Sequence, residues 1–170
     1  MKRATFAVLL SLVAAACGSS SPTTPTTPAN PTFTAQLLPS NEAPNPITNA
    51  ESVASGSVTI TFVTTKDATG AVTSAVGTAV VNVQGFPAGS TITLAHIHTG
   101  AAGVAGGVLV PFIPSGAVPL TNGGGSFTQT QNIDGPTATN IMNNPSGFYF
   151  NVHTALNPAG VMRGQLVRTQ

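Results

Sequence analysis

The sequence predicts an all-β fold, an antiparallel sandwich or Greek-key barrel with at most one short helix. Two observations carry that expectation. Apolar residues recur at every second position in short runs, the period of a strand that turns one face to a core. Between the runs stand turn signals rich in Gly, Pro, Asn and Asp, spaced as in sandwiches and barrels.

In chain order, Phe33, Ala35 and Leu37 alternate with polar neighbours, and Val58, Ile60 and Phe62 do the same. The turn signal Lys66-Asp67-Ala68-Thr69-Gly70 ends that second run. Phe86-Pro87-Ala88-Gly89 precedes a third run with Ile92 and Leu94, and Asn122-Gly123-Gly124-Gly125 marks another reversal. Residues 137–143, after Pro136, are the one stretch expected to form a short helix. Asn144-Pro145-Ser146-Gly147 then leads into Phe148, Phe150 and Val152. Residues 33–170 are long enough for one domain around one core.

What precedes the domain points to export. Lys2 and Arg3 stand before an apolar run over residues 4–13, and Ala14, Ala15 and Ala16 lead into Cys17. This is the layout of a secretory signal peptide over residues 1–16, and the run is too short for a membrane-spanning helix. Val13-Ala14-Ala15-Ala16-Cys17-Gly18 resembles a lipobox, which implies a lipidated Cys17 and a membrane anchor at the cell envelope. Ala14 stands where Leu is usual, and the alternative is plain signal cleavage after Ala16, which leaves Cys17 as a free thiol. Residues 17–32 carry Pro22, Pro25, Pro28 and Pro31 among Ser and Thr. Proline fixes φ and removes backbone donors, so an extended tether is expected, able to reach ~40 Å.

Cys17 is the only cysteine, so the domain has neither a disulfide framework nor a zinc–thiolate site. Charged residues are 5% of the chain, against roughly a quarter in ordinary domains. Without Lys2 and Arg3, three basic residues face four acidic ones. A chain so poor in cations cannot neutralise a row of phosphates, which excludes nucleic acid as a partner.

The three histidines fall into two strand-end motifs, Ala95-His96-Ile97-His98-Thr99-Gly100 and Asn151-Val152-His153-Thr154. Period two puts His96 and His98 on one face, with Cα atoms ~6.5 to 7 Å apart. If His153 lies nearby, three imidazoles form a site suited to copper or zinc. The alternative is that the rings hydrogen-bond turn backbones. Residues 100–107 are glycine-rich but lack the strand-Gly-Lys setting of a phosphate loop. Glu42 and Glu51, nine residues apart in a loop-like stretch, offer no argument for a catalytic pair, and no Gly-x-Ser-x-Gly elbow occurs.

Residues 33–166 resemble the CHRD domain family, named from its occurrence in chordin. The resemblance rests on Phe33-Thr34-Ala35-Gln36-Leu37 with Asn41-Glu42-Ala43-Pro44, on Ala95 to Gly100, and on Tyr149-Phe150-Asn151-Val152-His153-Thr154 through Asn157-Pro158-Ala159-Gly160-Val161-Met162-Arg163-Gly164-Gln165. Ala43-Pro44 stands where Val-Pro is more frequent, and Val161-Met162 where Glu-Ile is common. The resemblance implies an Ig-like or similar β-sandwich and no established activity.

A second likeness is to the copper half-site of the copper/zinc superoxide dismutases. His96-x-His98 with Gly100, then Val152-His153, then Ala159-Gly160-x-x-Arg163 follow its order. That likeness implies His96, His98 and His153 as copper ligands, Arg163 as an anion guide and Asn151 beside it. The arginine stands one position further from Ala-Gly than in that family, and no histidine remains to bridge to zinc. Arg163 also has a plain reading, as a structural donor to loop carbonyls.

Three readings follow. The first is a lipid-anchored extracytoplasmic module that binds a protein or glycan or serves structurally. The second is a copper- or zinc-binding protein using the three histidines. The third is a redox enzyme of superoxide-dismutase type. Anchoring has its own test: Cys17→Ser is expected to release mature protein into the soluble fraction and abolish acyl-chain labelling, and labelling that persists refutes the lipobox.

Overall fold

The structure, a computed structural model, describes residues 29–113 and 116–170. The signal peptide, Cys17 and most of the tether lie outside the described residues.

The strands are β1 (Thr32–Leu37), β2 (Ser55–Lys66), β3 (Val72–Gln84), β4 (Thr91–Thr99), β5 (Val108–Ile113), β6 (Val118–Pro119), β7 (Gly125–Asp134), β8 (Phe148–Thr154), β9 (Met162–Gln165) and β10 (Val167–Arg168). They form two antiparallel sheets, one in the order β10-β1-β2-β3-β7 and the other β5-β4-β8-β9, with β6 paired to β4. The architecture is a sandwich.

The first sheet is built on the long β2–β3 hairpin. At its turn one Asp67 carboxylate oxygen accepts the backbone N–H of Thr69 at 2.8 Å and of Ala71 at 3.0 Å. Gly70 supplies the positive φ of 86° that closes the reversal. Val58, Ile60 and Phe62 point inward as the alternation predicts, and Phe62 packs on Phe33 with ring centroids 5.1 Å apart. Phe112 and Phe150 meet from the other sheet, 5.9 Å apart. With no cysteine among the described residues, burial of these side chains replaces cross-linking as the source of stability.

The helix α1 (Gly135–Asn143) begins two residues before the stretch in which the sequence places it. Asp134 is its N-cap, accepting the N–H of Thr137 at 2.8 Å, and Pro136 sits in the first turn, where its missing donor costs nothing. Ala138 and Ile141 bury its inner face against β3 and β7.

β4 departs from simple alternation. Its register with β8 shifts between Ile92 and Leu94, so the inward parity changes along the strand. Ile92 is buried, Leu94 is only half-buried, and Ala95 and Ile97 take over the core positions. The shift aims His96 and His98 away from the core.

β8 was expected to be half-buried, and it is buried throughout. Phe148, Phe150 and Val152 belong to the core, so Tyr149, Asn151 and His153 project from the opposite face. Loops cover that second face. The covering begins at the corner where the last segment switches sheets: β9 pairs with β8, Leu166 is buried, and β10 pairs with β1. Leu38 and Arg163 exchange backbone bonds of 3.2 and 3.4 Å across this corner.

Gly164 lies in the corner, where an added Cβ would come within 2.0 Å of the Gln36 carbonyl oxygen. Gly164→Ala is therefore expected to cost about 2 kcal/mol, or roughly 6 °C of thermal midpoint. A calorimetric scan showing an unchanged midpoint overturns this account of the corner.

Candidate metal centre

The outer face of the second sheet carries one continuous polar layer. The register sets His96 opposite Asn151 and Asn151 opposite Arg163, giving a row across β4, β8 and β9. One residue pair along, His98 faces Tyr149 and Tyr149 faces Gln165. His153 pairs with Leu94 at the far end of β8. His96, His98 and His153 are 6%, 7% and 5% exposed, which takes all three rings out of bulk water.

Each ring is held by a named contact. Nδ1 of His98 donates to the Gly106 carbonyl at 3.0 Å, and Nδ1 of His153 donates to the Pro158 carbonyl at 3.0 Å. A carbonyl only accepts, so both nitrogens carry the proton and leave a lone pair on Nε2 when the rings are neutral. His153 Nε2 faces His96 Nδ1 at 3.2 Å. One nitrogen from each of the three rings lies within 4.8 Å of the others. Ligands ~2.0 to 2.1 Å from a tetrahedral ion stand about 3.3 Å apart, so the 3.2 Å edge is already at ligand spacing.

The Nε2 of His98 is buried with no hydrogen-bond partner. Leaving a buried polar atom unmade costs about 1–3 kcal/mol. Backbone bonding alone explains one nitrogen of His98 and leaves the other without a role. A metal ion at the centre of the three rings would engage it.

The electrostatics suit a ligand set. Burial, followed by the neighbouring His153 and His98, lowers the pKa of His96 to about 4. Burial also lowers His98 and His153 against the opposing pull of the carbonyls they meet. Neutral imidazole is the form that binds metal. In the metal-free chain the His153 Nε2 lone pair accepts Nδ1–H of His96, a proton that moves to the other His96 nitrogen when an ion takes its place. No thiolate exists among the described residues, and nitrogen-only donors favour copper or zinc over magnesium or calcium.

Arg163 is 2% exposed. Its Nε donates to the Asn41 carbonyl at 2.7 Å and its Nη1 to the Val104 carbonyl at 3.0 Å, tying two covering loops to β9. Its guanidinium lies 4.4 Å from the centre of the Tyr149 ring, and Tyr149 stacks on His98 at 4.9 Å. The Tyr149 hydroxyl accepts the N–H of Gly106 at 3.2 Å, so the glycine-rich loop closes over His98. Gly106 itself has no room for a side chain, since a Cβ would lie 1.7 Å from the Thr99 carbonyl oxygen. Asn151 lies between His96 and Arg163, and its amide approaches Glu42 beside Gly160.

The structure thus brings together His96, His98, His153, Asn151 and Arg163, while Cys17 lies outside the described residues. Two carboxylates that the sequence left unassigned are buried in the loop before β2, Glu42 against Asn151 and Arg163 and Glu51 against Thr154 and Asn157. Glu42 is 8% exposed and Glu51 2%. Burial pushes the Glu42 carboxyl up to about 7, against the pull of the Arg163 charge and the Asn151 amide. The available signal was scarcity: acidic residues number four in the whole chain, and two of them stand in one Asn- and Pro-rich stretch.

Among known proteins, the family profile described as the CHRD domain matches residues 33–166. No curated protein and no solved structure matches the chain.

The histidines set the acid response of the metal-free protein. The unfolded chain protonates its imidazoles near pH 6.5, and folded His96 only near 4, so the unfolded state holds more protons between these values. Stability therefore falls as pH drops through that window. Glu42 works the other way, since its folded carboxyl takes a proton near 7 and its unfolded one near 4.5. His98 and His153, lowered by burial in the same sense as His96, tip the balance against Glu42. Thermal scans from pH 7 to 4 are therefore expected to show a falling midpoint, with a steeper fall in Glu42→Gln. A shallower fall in that variant refutes the assignment.

Proposed function

The chain belongs to the CHRD domain family, and on that premise we propose that it is a binding module of the cell envelope whose ligand is a single copper or zinc ion. The observation that carries the reading is the buried set of three histidine nitrogens within 4.8 Å of one another, two of the rings oriented by backbone carbonyls. His96, His98 and His153 are the protein ligands. Three protein ligands leave a fourth position for water or a small ligand, as in other open nitrogen sites.

The chain's own residues supply the rest of the site. The carbonyls of Gly106 and Pro158 fix the ring orientations, and Tyr149 stacks against His98. Arg163 and the loops it ties exclude bulk water, which strengthens ligation by removing competition from solvent. Placement outside the cytoplasm is supported by the signal-peptide pattern and by Cys17. The proline-rich tether joins the domain at β1, and the lipid on Cys17 is the anchor.

Isothermal calorimetry of the protein with Cu(II) or Zn(II) is expected to show saturable binding with one ion per chain. Bound metal raises the thermal midpoint, and His96→Ala, His98→Ala or His153→Ala each removes most of that rise. Because burial keeps the rings neutral below the ordinary imidazole range, binding persists under pH 6.5 and fades toward pH 4. Absence of saturable binding near neutral pH refutes the metal reading and leaves the histidines as hydrogen-bonding members of a structural module.

A further inference from the structure

We propose that Glu51 is a positioning residue of the histidine centre, acting on His153 through the turn that follows β8. What the centre binds rests on the reading above, whereas the hold on His153 is a property of the metal-free chain.

One oxygen of the Glu51 carboxylate collects two short bonds. Its Oε2 accepts the Thr154 hydroxyl at 2.6 Å and the Asn157 side-chain amide at 2.6 Å. The Thr154 hydroxyl in turn accepts the backbone N–H of Asn157 at 3.1 Å. Asn49 adds a second clamp: its amide donates to Asn157 Oδ1 at 2.8 Å, and its own Oδ1 accepts the Glu51 N–H at 3.0 Å. Backbone bonds from Thr154 and Gly160 to the Asn157 carbonyl close the turn.

The product of this network is the position of one carbonyl. Pro158 follows Asn157 directly, and its oxygen receives Nδ1–H of His153 at 3.0 Å. That bond selects the tautomer with the lone pair on Nε2, the nitrogen that faces His96 Nδ1 at 3.2 Å. Glu51 thus reaches His153 in three steps, through Asn157, the adjoining Pro158 carbonyl and the imidazole Nδ1.

A buried carboxylate is a costly way to pin a turn, since apolar packing often serves as well or better. Charge-assisted bonds are shorter and stronger than neutral ones, so a carboxylate holds the turn, and with it the Pro158 carbonyl, more firmly than a neutral acceptor. Outer partners of metal-bound histidines change affinity by roughly 10- to 100-fold when removed.

The test compares the intact chain with Glu51→Gln, with the nearly isosteric Thr154→Val, and with Asp134→Ala, which removes the cap of α1. Nitrogen NMR of the metal-free proteins reads the His153 tautomer, calorimetry reads Cu(II) and Zn(II) affinity, and electron paramagnetic resonance reads the Cu(II) ligand field. Glu51→Gln and Thr154→Val are expected to mix the His153 tautomers, lower affinity by roughly 10- to 100-fold and alter the Cu(II) spectrum. Asp134→Ala lowers the thermal midpoint and leaves tautomer, affinity and spectrum unchanged. Wild-type tautomer, affinity and spectrum in both Glu51→Gln and Thr154→Val overturn the proposal. If the wild-type chain binds neither metal but Glu51→Gln still mixes the tautomers, the metal reading fails and the positioning role of Glu51 stands.

Discussion

Everything distinctive in this domain depends on the burial of both faces of β8. A sandwich strand ordinarily gives one face to the core and one to water. Here the second face is polar and also dry, so each polar group on it needs a partner that loops must bring. The loop before β2, the glycine-rich loop after β4 and the turn after β8 all end in hydrogen bonds to this layer, through the carbonyl of Asn41, the N–H of Gly106 and the carbonyl of Pro158. The polar layer organises the loops, and the loops keep it out of water.

That mutual dependence sets the electrostatics of the site. Under the loops, desolvation dominates and all three shift downward. Glu42 shows the same effect with the opposite sign, since burial penalises whichever form is charged. Among the described residues, the buried side-chain atoms without partners are Glu42 Oε1, His98 Nε2, Asn151 Oδ1 and Arg163 Nη2. The residues that carry them lie in or against this one layer. Unmet hydrogen-bonding capacity gathered in one place is what a ligand site looks like before its ligand is considered.

The remainder of the fold is economical by comparison. The β2–β3 hairpin pairs without a slip from Ser55 to Thr65, its Asp67 turn is self-contained, and its inward side chains are apolar. Its role is to supply a rigid sheet against which Phe112, Phe150 and Ile97 pack, holding β4 and β8 in register. The register then decides which residues meet: His96 with Asn151, and His98 with Tyr149.

Local residues by themselves determined the all-β class, the turns and the single short helix, because period-two patterning and turn chemistry act over a few positions. They also put His96 and His98 on one face of one strand, and named Asn151 and Arg163. The irregularity at Ile92 to Leu94 was not legible, since a register shift arises from pairing with β8 and leaves no mark in the apolar spacing. Nor were the places of Glu42 and Glu51, whose loop-like stretch offers no argument for a site. Only the tertiary structure decided that these carboxylates are buried, Glu42 against Asn151 and Arg163 and Glu51 against Thr154 and Asn157, that Tyr149 touches both His98 and Arg163, and that His153 comes within 3.2 Å of His96. The reason is physical: periodicity reports which face a side chain occupies, while its burial depends on what the rest of the chain lays over that face.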